Sequence, residues 1–146
     1  MREAISDATK IFCEEILGFE LKKAKTLGSD FYVASIPIYE NENEKNWFLL
    51  FKRQTLQKIA QALLFEDNIS EEDIDDLIKE VSNQIIGLAK VTLEEKNPNF
   101  SYKLGVPDFL GTVSSASNSN SKNSLLYKIC NRTFLITDEK QKRGLK

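Results

Sequence analysis

At 146 residues with a formal net charge of −2, the chain is long enough to bury an ordinary hydrophobic core as one domain over residues 1–146. Its Lys, Arg, Asp and Glu residues are interspersed, with no basic stripe to track a phosphate backbone and no apolar run of membrane-spanning length, which argues against nucleic acid and membrane as partners. It contains no histidine, so Ser/His and Cys/His nucleophile pairs, an imidazole base and a His-containing zinc site are all excluded.

The opening MREAISDATK lacks the basic-then-apolar pattern of a secretory signal, and a cytoplasmic location is expected. Ile5, Ala8, Phe12 and Ile16 recur at helical spacing, which predicts an amphipathic helix over residues 2–17 ended at Gly18. From Phe19 three β-prone runs follow, FELKKAKTL, DFYVASIPIYE and NWFLLFKRQ, separated by GSD and NENEKN. They read as three strands joined by hairpins. Thr55 is placed to cap a second helix with Leu56, Ile59, Ala60, Leu63 and Leu64 on its apolar face. Ser70 and Asp73 have capping-box spacing, and Glu71, Glu72 and Asp73 suit a helix N-terminus. A long third helix is therefore expected over residues 70–95, stopped by KNPNF. Beyond it lie SYKLGVPDFLG, a Ser/Asn-rich tract at 112–124 expected to be a mobile loop, and two strands, LLYKIC and TFLITDE, turning at Asn131 and Arg132. The polar tail at 139–146 is expected to fray. The element order implies an α+β fold, an antiparallel sheet covered on one face by helices. Cys13 and Cys130 form no C-x-x-C unit and read as two small buried hydrophobes.

The third helix raises a question that burial does not answer. A stripe of Ile74, Leu77, Ile78, Val81, Ile85, Leu88 and Ala89 faces the core at 3.6 residues per turn. Asp76, Glu80, Asn83 and Gly87 fall together on the opposite side, each three or four positions from the next. Asn and Gly both weaken a helix, Gly by about 1 kcal/mol relative to Ala. Gly87 clears space one turn beyond Asn83, so that its carboxamide can reach a partner surface. Glu80 beside it is a charge able to meet a cation. An amide, with a donor and an acceptor on a short arm, suits holding a water molecule in line with an electrophile. Geometry alone favours a merely solvated face; the wider context points elsewhere.

Glu80-x-x-Asn83 followed by Gly87, on a long helix preceded by a shorter one and followed by strands with VPDFLG, resembles the CheX branch of the CheC/CheX/FliY chemotaxis phosphatases over residues 2–138. The resemblance implies a CheC/CheX-like fold and a phosphatase acting on the phospho-aspartate of a CheY-type response regulator, which supplies its own Mg²⁺ and a lysine. On that reading Asn83 orients the attacking water, Glu80 pairs with the regulator's lysine, and Asp76 and Gly87 line the docking surface. The chain then needs no cofactor and no metal of its own. CheC-type members carry two such motifs, whereas the first helix here has Glu3 but Ser6 where the amide would stand, so one site per chain is implied. A homodimer through a strand edge, supported by the SLLYKIC and TFLIT runs, is also implied. The alternative is a non-catalytic flagellar switch or adapter protein of related fold; a generic interaction domain is a third reading.

Overall fold

Alternating apolar residues in the second predicted strand set the architecture of the computed structural model, which describes residues 1–115 and 122–140. In β2 (Ser29–Glu40), Ala34, Ile36 and Ile38 face one side of the sheet and Phe31 and Val33 the other, all buried. This is the period of two that puts successive side chains on opposite faces. β2 turns through Asn41, at φ 56°, into β3 (Asn43–Phe51), paired from Tyr32↔Phe51 to Glu40↔Asn43. β6 (Leu125–Ile129) and β7 (Arg132–Thr137) form a second hairpin, and β7 joins the first by pairing with β3. Its turn is Cys130–Asn131, one residue earlier than expected, because both carry positive φ (52° and 63°), the twist that matches right-handed strands. β4 (Tyr102–Leu104) and β5 (Asp108–Ser115) lie end to end along the outer edge of β2. With β1 (Lys22–Lys23) added at the far side, the antiparallel order is β1-β6-β7-β3-β2-β4, with β5 also on β2.

Helices cover one face, as the element order implies. α1 (Arg2–Lys10), α2 (Arg53–Leu64) and α3 (Glu71–Lys96) pack with that face into the main core, while Phe31, Val33, Phe48, Leu50, Val113 and Leu135 form a smaller cluster on the other face.

Several expectations need correction. The run after Phe19 contributes only β1 (Lys22–Lys23), which pairs with β6 and makes no hairpin with β2. Its lysine-rich sequence has no alternating apolar face to bury. α1 continues as a π-helical turn, Ile11–Ile16, in which Leu17 N donates to Phe12 O at 3.0 Å. The wider turn sends Ile16 outward, 44% exposed, and brings Leu17 to the core in its place, 8% exposed. Thr55 is not the cap of α2: Lys52 holds that position, Thr55 is buried within the first turn, and Leu64 is exposed. β5 takes residues 112–115 of the expected loop, with a bulge at Leu110 beside Gly111, φ 90°. Residues 116–121, and the tail from 141, lie outside the described residues. Cys13 is buried and Cys130 half-buried, both free. Burial, reinforced by the charges of Glu14 and Cys130, pushes the Cys13 thiol up to about 12.

α3 begins as its sequence dictates. Asp73 N donates to Ser70 Oγ at 3.2 Å and Ser70 N to Asp73 Oδ2 at 3.1 Å, a complete capping box. Tyr32 Oη donates to Glu71 at 2.9 Å, and Arg53 pairs with Glu71 and donates to Ile69 O at 2.9 Å, tying the helix start to β2 and α2. Ser70→Ala removes one half of the reciprocal cap and is expected to lower unfolding free energy by about 1 kcal/mol. Urea unfolding of the two proteins measures that difference.

Candidate functional site

What the long helix buries decides what it presents. Ile74, Ile78, Val81, Ile85, Ile86 and Ala89 are 0% exposed, and full burial of each larger aliphatic side chain is worth roughly 1.5–3 kcal/mol. The buried arc is wider than one stripe: Ser82, Ile86 and Leu93 join it, and Leu88 is only half-buried. The reason is that α3 is held on two sides, by α1 and by the sheet through β2 and β4. Ser82 enters the core without penalty because its Oγ donates to Ile78 O at 2.8 Å.

With that arc fixed, the opposite side is fixed as well. Asp76 and Glu80 are exposed, and Asn83 and Gly87 are half-buried beside them. The four expected site residues therefore share one solvent-facing stripe. Glu80 Oε2 accepts from Gln84 Nε2 at 2.9 Å, an i,i+4 contact that leaves Oε1 unused among the described residues. The Asn83 carboxamide makes no hydrogen bond to any described residue. Gln84 is a member of the site that periodicity did not single out. Its signal is the i,i+4 spacing from Glu80.

The neighbourhood is acidic. Lys79, the adjacent cation, bonds Asp75 at 2.7 Å. That hydrogen bond chiefly raises the Lys79 pKa, and the charges of Asp75, Asp76 and Asp108 raise it further. Lys79 is thus committed within the chain, while Asp76 and Glu80 face outward. Gly87 lies against the sheet edge: a Cβ there would meet Leu104 Cδ2 at 3.8 Å, an ordinary contact. Internal crowding consequently does not require the glycine.

Cavities of about 700, 390 and 300 Å³ open elsewhere, and none of the three is lined by a residue of α3. A stripe that lines none of these cavities suits a macromolecular surface more than a small molecule. Among the described residues no group of His, Cys, Asp and Glu is arranged to hold a metal ion, and no helix is long and apolar enough to cross a membrane. On α1 the position equivalent to the amide, Ser6, turns inward and shares a 2.6 Å hydrogen bond with Tyr127 Oη, while Glu3 stays exposed.

Residues 32–129 match the family described as "Chemotaxis phosphatase CheX", and the chain belongs to the CheX family. Its fold is similar to that of chemotaxis protein CheX from Vibrio vulnificus (TM-score 0.74, 18% identity, 92% of this chain and 91% of that one). It is also similar to CheX in the CheX–CheY–BeF₃–Mg²⁺ complex from Borrelia burgdorferi (TM-score 0.59, 19% identity, 92% and 93%). Thermotoga maritima FliY is a more distant likeness (TM-score 0.52, 14% identity, 91% and 82%). A comparison with curated proteins found no match by sequence.

Because Ala is the better helix former and its methyl fits beside Leu104, Gly87→Ala is expected to stabilise the domain by up to about 1 kcal/mol. Thermal unfolding checks the sign. A lower melting temperature would mean that Leu104 cannot accommodate the methyl.

Proposed function

We propose that this chain dephosphorylates the phospho-aspartate of a CheY-type response regulator, with Asn83 and Glu80 as the residues that act on it. The observation that carries the reading is the free Asn83 amide beside Glu80 on the exposed stripe of α3, in a chain of the CheX family. A CheX relative assembled with CheY, BeF₃ and Mg²⁺ supports the partner and the origin of the metal.

The chemistry asks little of the chain's own groups. A water oxygen attacks phosphorus, the bond from phosphorus to the aspartyl oxygen breaks, and the products are the regulator's carboxylate and inorganic phosphate. Such a step depends mainly on alignment and on neutralising charge, not on a strong base. Asn83 would accept a hydrogen bond from the water through its Oδ1 and orient it in line. Glu80, one oxygen already held by Gln84, would offer the other to the regulator's lysine. Asp76 would border the contact, and Gly87 would let the regulator's surface approach. Mg²⁺ would arrive with the regulator.

Asn83→Ala is expected to lower stimulated dephosphorylation at least about 100-fold while leaving regulator binding within about twofold, because its amide acts mainly in the transition state. Glu80→Ala is expected to weaken binding as well, by about three- to tenfold, since its partner lysine is present before reaction. Release of phosphate from phosphorylated regulators, together with titration of binding, measures both. Near-normal turnover by Asn83→Ala would refute the assignment. The second reading is a non-catalytic adapter of related fold that binds the regulator or the motor. Wild-type binding without any acceleration of phosphate loss would favour it.

A homodimer is part of the proposal, with its contact relocated. Of the SLLYKIC and TFLIT runs, β7 lies inside the sheet and β6 is bordered by the two-residue β1, while the opposite edge belongs to β4 with β5. The outer side of β5, eight residues long, is the edge with room for a second copy. Light scattering is expected to give twice the 16.7 kDa chain mass at micromolar concentration; a monomer across a wide range would count against it.

A further inference from the structure

Residues 105–107, between β4 and β5, are anchored beside α3 at both ends. Leu104 Cδ2 lies 3.8 Å from the position of a Cβ on Gly87. At the other end β5, which opens with Asp108, also contacts α3. Leu104 pairs with Ile38 and Asp108 with Ser35, three residues apart on β2, about 10 Å. Asp108 also acts electrostatically on Lys79, about two turns before Gly87. The segment therefore runs alongside α3 and against its direction, and Val106 falls within the stretch of the helix that carries Glu80 and Asn83.

Val106 is 84% exposed, and the backbone around it is held in place. Gly105 N donates to Pro37 O at 2.8 Å. A Cβ on Gly105 would overlap the Pro37 ring, so only glycine fits beneath that bond. Pro107 restricts its own φ to about −65°, and Asp108 is already paired with Ser35. A large apolar side chain is therefore presented to water by a fixed backbone, two residues from the exposed Asp108 and in a segment that borders α3, whose exposed residues include Asp76 and Glu80. An apolar centre with a charged rim is the anatomy of a protein–protein contact.

We propose that Val106 is an apolar docking residue for the phosphorylated receiver, packing on the receiver's surface beside the group that Asn83 addresses. The proposal rests on the phosphatase reading given above. Its role is in binding, so it bears on the concentration of receiver required and not on the chemical step. With 84% of its surface already exposed, Val106 contributes little to the core, which allows the test to separate docking from folding.

The experiment measures steady-state dephosphorylation of CheY-type receivers kept phosphorylated by acetyl phosphate, with wild type, Val106→Ser, Val106→Ile and Asn83→Ala. Val106→Ser is expected to raise KM about fivefold with kcat within about twofold and an unchanged melting temperature. Val106→Ile is expected to keep the wild-type KM. Titration against a receiver loaded with BeF₃ and Mg²⁺ is expected to give the same fivefold loss of affinity for Val106→Ser. Unchanged KM and affinity in Val106→Ser, with turnover lost in Asn83→Ala, would overturn the docking role and leave the phosphatase reading standing. Normal turnover in Asn83→Ala, or no wild-type effect on any receiver, would overturn both.

Discussion

The burial of one broad arc of α3 against α1 and the sheet is the constraint on which the rest depends. Ile78, Val81, Ile85 and Ala89 have no exposure, so rotating the helix by even one residue would carry several of them into water. Each would forfeit roughly 1.5–3 kcal/mol. No hydrogen bond within the stripe is needed to aim Glu80 and Asn83; the core aims them. The capping box at Ser70 and the contacts of Glu71 set where the helix starts, and the core then sets its rotation.

On the proposed reading, a catalyst built in this way would contain only part of its chemistry. The amide and the carboxylate are ordinary side chains on a regular helix, and the cavities of about 700, 390 and 300 Å³ lie away from them. This arrangement is coherent when the electrophile, the metal and the countercharge all belong to the protein being acted upon. Lys79 illustrates the division: bonded to Asp75, it leaves the outward face acidic, complementary to a cation brought by a partner.

The long, regular elements are legible in the sequence because their signals are local and redundant. α3 is announced by its cap, its acidic first turn and its repeating aliphatics together, and the stripe of Asp76, Glu80, Asn83 and Gly87 follows from the same period. What is not legible depends on contacts from elsewhere in the chain. Nothing near Phe12 announces that the next turn widens, for the π-helical geometry is chosen by which of Ile16 and Leu17 the core accepts. The widths of the buried arcs behave similarly: Ser82 and Ile86 are covered because α3 has two neighbours, and a wheel drawn for one neighbour misses them. Pairing order is the most remote of these properties. β1 joins β6 across more than a hundred residues, and neither run carries a mark naming the other.

Placing the proposed site residues in the middle of a helix seated over the core has a consequence for the order in which the molecule opens. Loops and ends exchange their amide hydrogens through small local fluctuations, but the backbone from Glu80 to Gly87 lies three turns or so from either end of α3 and sits over the core. Its amides should therefore belong to the slowest-exchanging class, released only when the whole cooperative unit opens. Fraying at the chain ends or in the β4–β5 segment would leave the spacing of acid and amide intact. Heat or denaturant would then abolish that spacing in the same transition that unfolds the domain, without a preceding inactive but folded form.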